Sequence, residues 1–68
     1  MAVLKKEKTI QEKWIEIIND RGLKQTWVAE KAGMSPPHLS NILAERVLLT
    51  EENVVKINEA LGTNFKLS

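Results

Sequence analysis

The side chains with the most polar chemistry to offer lie in the middle of the chain: Lys24 and Gln25, then Lys31, then Ser35-Pro36-Pro37-His38, then Ser40, Asn41 and Arg46. Hydroxyls and amides in this set can both donate and accept hydrogen bonds, while the lysines and the arginine pair with anions. Covalent chemistry is a poor match. His38 is the only histidine and there is no cysteine, so a Ser-His-Asp triad, a thiolate nucleophile and a His/Cys metal cluster all lack members. No glycine-rich phosphate loop is present, and 68 residues leave little room for a catalytic cleft. These residues are therefore expected to recognise a partner rather than turn over a substrate, with no catalytic residue, metal, cofactor or small-molecule ligand.

Composition bounds the partner only loosely. The chain is 43% hydrophobic and 28% charged, which suits one small globular domain and argues against disorder. The lack of cysteine removes a disulfide framework and fits a reducing compartment. No apolar run approaches the roughly 20 residues of a membrane span, and the N-terminus does not read as a signal peptide. A soluble, cytoplasmic protein is the expectation. The formal net charge is only +1, so the overall balance does not announce a polyanionic partner; the placement of charge must do that.

The elements that position these residues can be read from caps and periodicity. Thr9 followed by Glu12 matches a capping box, and Ile10, Trp14, Ile17 and Ile18 then predict one apolar face of a first helix. Gly22 supplies its stop and Leu23 a folding-back contact. A second helix is expected from Gln25 to Ala32, buried through Val28, Ala29 and Ala32 and closed by Gly33. Ser35 then caps a third helix that opens with Pro36 and Pro37, where missing N–H groups and a fixed φ cost nothing. Its apolar face is Leu39, Ile42 and Leu43; Ser40 and Asn41 point the other way. Thr50 caps a fourth helix with Glu51 and Glu52 in its first turn, Val54, Ile57 and Leu61 on its inner face, and Gly62 at its end. The expectation is an all-α, compact bundle of four to five short helices. Residues 1–8 are expected to be a basic N-terminal arm, carrying Lys5, Lys6 and Lys8; residues 9–62 form the domain and 63–68 a tail.

The second and third helices meet across a short turn with a purpose-built spacing. Small Ala29 allows a close crossing, Gly33 provides the positive φ, and Leu39 and Ile42 lock the third helix onto the second. Two short helices held in this way suit one use: the second of the pair enters the major groove of DNA while the first crosses the backbone.

The run Gln25-Thr26-Trp27-Val28-Ala29-Glu30-Lys31-Ala32-Gly33-Met34-Ser35, with Leu39, Ser40, Asn41 and Ile42 after it, resembles the Cro/repressor (Xre-type) helix-turn-helix family. Ile57, Ala60, Leu61 and Gly62 resemble the close of that family's fourth helix, so the likeness spans about residues 10 to 62. It implies a lambda-repressor-like fold and a DNA-binding transcriptional regulator. The sequence departs from the family at Lys24, where many members carry Ser or Thr, and at Leu43-Ala44-Glu45, where many read Glu-Asn-Gly. It also ends a few residues after Gly62, where many relatives continue.

The resemblance implies base contacts from Ser35, Pro36, Pro37, Ser40 and Asn41, and phosphate contacts from Lys24, Gln25, Lys31, His38 and Arg46. Asparagine is the strongest reader among them, since it can pair bidentately with adenine, whereas the prolines could offer only apolar contact to a thymine methyl. Each also has an ordinary structural role as a cap, a helix opener or a solvated charge. Trp14 is expected in the core; Trp27 is expected to cover the edge of the first helix or to help contact the DNA backbone, with packing the preferred reading. Val47, Leu48, Leu49, Val55, Phe65 and Leu67 are left over; some should pack under the fourth helix, and any exposed together would form a dimer patch. The family likeness implies a homodimer on a double-stranded operator, acting as a Cro-like repressor of a bacterial, phage or mobile-element promoter. The alternative is a protein-interaction module of the same fold: an antitoxin, antirepressor or excision partner.

Overall fold

Three of the four helices start where a side-chain oxygen takes up a free backbone N–H, and one does not. The computed structural model describes residues 8–67, so Lys5 and Lys6 of the expected arm lie outside the described residues. In chain order the helices are α1 (Ile10–Arg21), α2 (Gln25–Ala32), α3 (Pro36–Leu43) and α4 (Glu51–Leu61). Among the described residues there is no strand. The all-α, four-helix architecture expected from the sequence is the one observed.

At α1 the capping box is complete: the Glu12 N–H donates to Thr9 Oγ1 at 3.1 Å and the Thr9 N–H to Glu12 Oε1 at 2.9 Å. Thr50 Oγ1 accepts from the Asn53 N–H at 3.2 Å at the head of α4. Gly33 ends α2 at φ 72°, in the left-handed region open to glycine, and the Met34 N–H donates back to the Ala29 carbonyl at 2.9 Å.

The core is built from one face of each helix. Trp14, Val28, Ala29, Leu39, Ile42 and Ile57 are wholly buried, and each larger apolar side chain among them is worth roughly 1.5–3 kcal/mol of transfer free energy. α2 packs against both α3 and α4, and α1 against α3. The inner faces expected of α2, α3 and α4 are all buried.

Two expectations need correction. On α1, Ile15 rather than Ile17 joins the core. At 100° per residue the buried stripe is centred on Gln11, Trp14 and Ile18, and Ile17 lies farther from its middle than Ile15 does. Trp27 does not pack away: it is 42% exposed, because it lies on the side of α2 nearly opposite the middle of the buried Val28, Ala29 and Ala32 face. Lys31 Nζ instead lies 5.5 Å from the centroid of its ring, a cation–π contact.

Residues 63–67 carry Phe65, one of the left-over apolar residues of which some were expected to pack. They form no helix, yet Phe65 packs against the core and Lys13 Nζ sits 5.5 Å over its ring. The agent is buried Asn58. Its Nδ2 donates to the Phe65 carbonyl at 2.7 Å, and its Oδ1 accepts from Thr63 Oγ1 at 2.7 Å. Longer bonds of 3.3 Å reach the same oxygen from Trp14 Nε1 and the Phe65 N–H. One side chain thus ties α1, α4 and the C-terminal segment together, and no buried side-chain polar atom among the described residues is left unpaired.

Candidate nucleic-acid interface

The ten polar and proline positions singled out from sequence fall on the N-cap of α2, on α2 and α3, on the turn between them and on the loop after α3. Lys24, Gln25, Lys31, Ser35, Pro36, Pro37, His38, Ser40 and Arg46 are exposed, and Asn41 is half-buried. The fold therefore presents all of them on one helix-turn-helix unit.

The two helices of that unit start in opposite ways. At α2 the N-cap is Lys24, which makes no side-chain cap bond. A lysine ammonium has no acceptor to offer, so the N–H groups of Gln25, Thr26 and Trp27 have no cap partner. They stand beside the exposed amide of Gln25 at the positive end of the helix, an arrangement suited to an anion such as a phosphate. At α3 the corresponding donors are gone. Pro36 and Pro37 have no N–H, and the His38 N–H is taken by Ser35 Oγ at 3.4 Å. The start of α3 can meet a ligand only through side chains.

Those side chains are set by helical geometry. Leu39, Ile42 and Leu43 face inward, so Pro37 and Asn41, four residues apart, form a stripe on the opposite side. Ser40 and His38 flank it. Ala44, seven residues after Pro37 and exposed, continues the same stripe at the i, i+4, i+7 spacing of one helix face. This face presents an apolar ring, an amide, a hydroxyl and a methyl. It contains no fixed charge, which is the kind of surface that can read base edges.

Glu45 is a second residue outside the ten expected positions. It is the only non-glycine among the described residues with positive φ, at 60°; it follows the C-cap Ala44 and takes the left-handed conformation that glycine takes directly after the other helices. The Arg46 N–H donates to the Asn41 carbonyl at 2.9 Å and the Glu45 N–H to the Ile42 carbonyl at 3.0 Å, closing the helix despite a left-handed side-chain residue that costs about 1–2 kcal/mol. Thr9 Oγ1 donates to Glu45 Oε2 at 3.2 Å, which ties the exit of α3 to the N-cap of α1.

Among the described residues no group of His, Asp or Glu side chains is arranged to hold a metal ion, and no helix is long and apolar enough to cross a membrane. Comparison with curated proteins and with solved structures yields no match. Residues 15–67 match the family model described as helix-turn-helix, a DNA-binding and non-enzymatic family. That match takes in α2, the turn, α3 and α4 together, so this chain belongs to the Cro/repressor (Xre-type) helix-turn-helix family of DNA-binding regulators.

Proposed function

We propose that the chain is a sequence-specific transcriptional regulator, a Cro-like repressor of a bacterial, phage or mobile-element promoter acting in the cytoplasm without a cofactor. The observation that carries this reading is the contrast between the two helix starts. Free amides beside Gln25 suit a phosphate; the uncharged stripe of Pro37, Asn41 and Ala44 suits base edges. In this arrangement α3 lies in the major groove, Gln25 and the α2 amides hold the backbone on one side, and Arg46 meets it beyond the other end of α3. Lys24, Lys31 and His38 add attraction around the rim, and Ser35 and Ser40 lie within reach of base edges.

One such module touches few base pairs, so high specificity calls for two copies on half-sites about 34 Å apart. Leu48, at 87% exposed, with Val55 and Leu67 also exposed, supplies apolar surface away from the α3 stripe for a homodimer.

The test is a titration of duplex DNA, after selection of bound sequences, at several salt concentrations. Affinity is expected to fall steeply with salt as phosphate contacts release counterions. Asn41→Ala is expected to lose about 1–3 kcal/mol on the selected sequence and nothing on scrambled DNA. Equal losses on both would make Asn41 a backbone contact. Binding that is absent, or insensitive to salt, would favour a protein-interaction module instead.

A further inference from the structure

Glu45 ends α3 and carries two features that a helix terminator does not need. Its backbone is in the left-handed region, where glycine would serve without strain. Its carboxylate is held by the Thr9 hydroxyl at 3.2 Å. It also stands between Asn41 and Arg46, whose backbones are joined by the 2.9 Å bond that closes α3. The hold on the carboxylate is directional. Thr9 heads α1, so Glu45 reaches from the negative end of one helix to the positive end of another. Thr9 Oγ1 keeps its capping bond from the Glu12 N–H while its own proton goes to Glu45.

From this we infer that Glu45 is a fixed electrostatic brake on generic DNA binding, a positioning residue whose negative charge is locked beside the recognition helix. The inference rests on the DNA-binding reading of α2 and α3. Arg46 is the next residue in the chain, with neighbouring Cα atoms about 3.8 Å apart, so a phosphate that Arg46 meets is exposed to the Glu45 charge wherever the Debye length, roughly 8 Å at physiological salt, spans the two side chains. A carboxylate there repels every duplex alike. It thereby lowers the sequence-independent part of the affinity and leaves the base contacts of α3 to decide where the protein stays. The modest net charge of +1 agrees with a protein whose generic attraction is kept low.

The experiment compares the full chain with Glu45→Gln and Glu45→Gly on one mixed-sequence duplex of about 20 base pairs across a range of salt. Glutamine keeps the side-chain length, the left-handed strain and an acceptor for Thr9, and removes only the charge. It is expected to bind about threefold more tightly at low salt, with the gain vanishing at high salt as the Debye length shrinks. Glycine is expected to show the same gain and, in addition, a higher melting temperature. If Glu45→Gln binds as the parent does at every salt concentration, there is no brake. A gain in melting temperature alone, with affinity unchanged, would reduce Glu45 to a helix terminator. Failure of the parent chain to bind any duplex in a salt-sensitive way would instead overturn the DNA-binding reading, and the brake with it.

Discussion

The starts of α2 and α3 are separated only by α2 itself and one short turn, yet they are finished in opposite ways. α2 opens on Lys24 with its first amides uncapped, while α3 opens on Ser35, Pro36 and Pro37 with every early amide removed or occupied. Stability alone would favour a cap at both places, since one is worth about 1 kcal/mol. The uncapped start therefore leaves backbone donors free where an anion can reach them. The closed start gives α3 a rigid beginning and no backbone attraction of its own. Backbone donors hold any sequence; side chains on a fixed helix distinguish between sequences.

The largest effect should come from separating the two starts. Leu39 is wholly buried and keys α3 against α2. Leu39→Ala is expected to cost about 2–5 kcal/mol, enough to threaten a domain of this size. Urea or thermal unfolding measures the loss, and duplex binding should fall with the folded fraction. Exchanging the finishes of the two helices comes next. Lys24→Ser should add a cap to α2 and raise stability by about 1 kcal/mol while weakening duplex binding, since it occupies a free amide and removes a charge. Ser35→Ala should lower stability by about as much and, because it frees the His38 N–H at the start of α3, raise generic duplex binding by the folded protein slightly. A rise in both stability and affinity for Lys24→Ser would break the comparison. The smallest effect is expected for Pro37→Ala, about 0.4–1 kcal/mol of stability lost through a more flexible unfolded chain. It returns an N–H to the start of α3, so generic duplex binding should rise slightly rather than fall.

Much of this arrangement is written in local sequence. Thr9, Ser35 and Thr50 mark helix starts, and Gly22, Gly33 and Gly62 mark ends, because capping depends on residues within a few positions of one another. The helix-turn-helix and most of its outward face follow from the same local rules. What escapes them depends on distant partners. Asn58 reads as an ordinary polar helix residue until Thr63, Phe65 and Trp14 are brought around it. Ile15 and Ile17 are equally apolar, and which of them meets the core depends on where the buried stripe of α1, through Gln11, Trp14 and Ile18, settles against its neighbours. Trp27 is large and apolar enough to suggest burial, but its position on α2 turns it outward to Lys31. Glu45 gives no local signal for a positive φ; its link to Thr9 spans 36 positions of sequence.

The most direct test of the division between the two helix starts is to follow every backbone and side-chain amide by NMR as DNA is added. Two duplexes are needed, one carrying the selected sequence and one scrambled. The N–H signals of Gln25, Thr26 and Trp27 should shift with either duplex and lose that shift as salt rises. The side-chain amide of Asn41 should shift strongly with the selected duplex alone. If the α2 amides stay unmoved while the largest changes fall on Leu48, Val55 and Leu67, DNA does not engage this face, and the assignment of α2 to phosphate and α3 to bases is wrong.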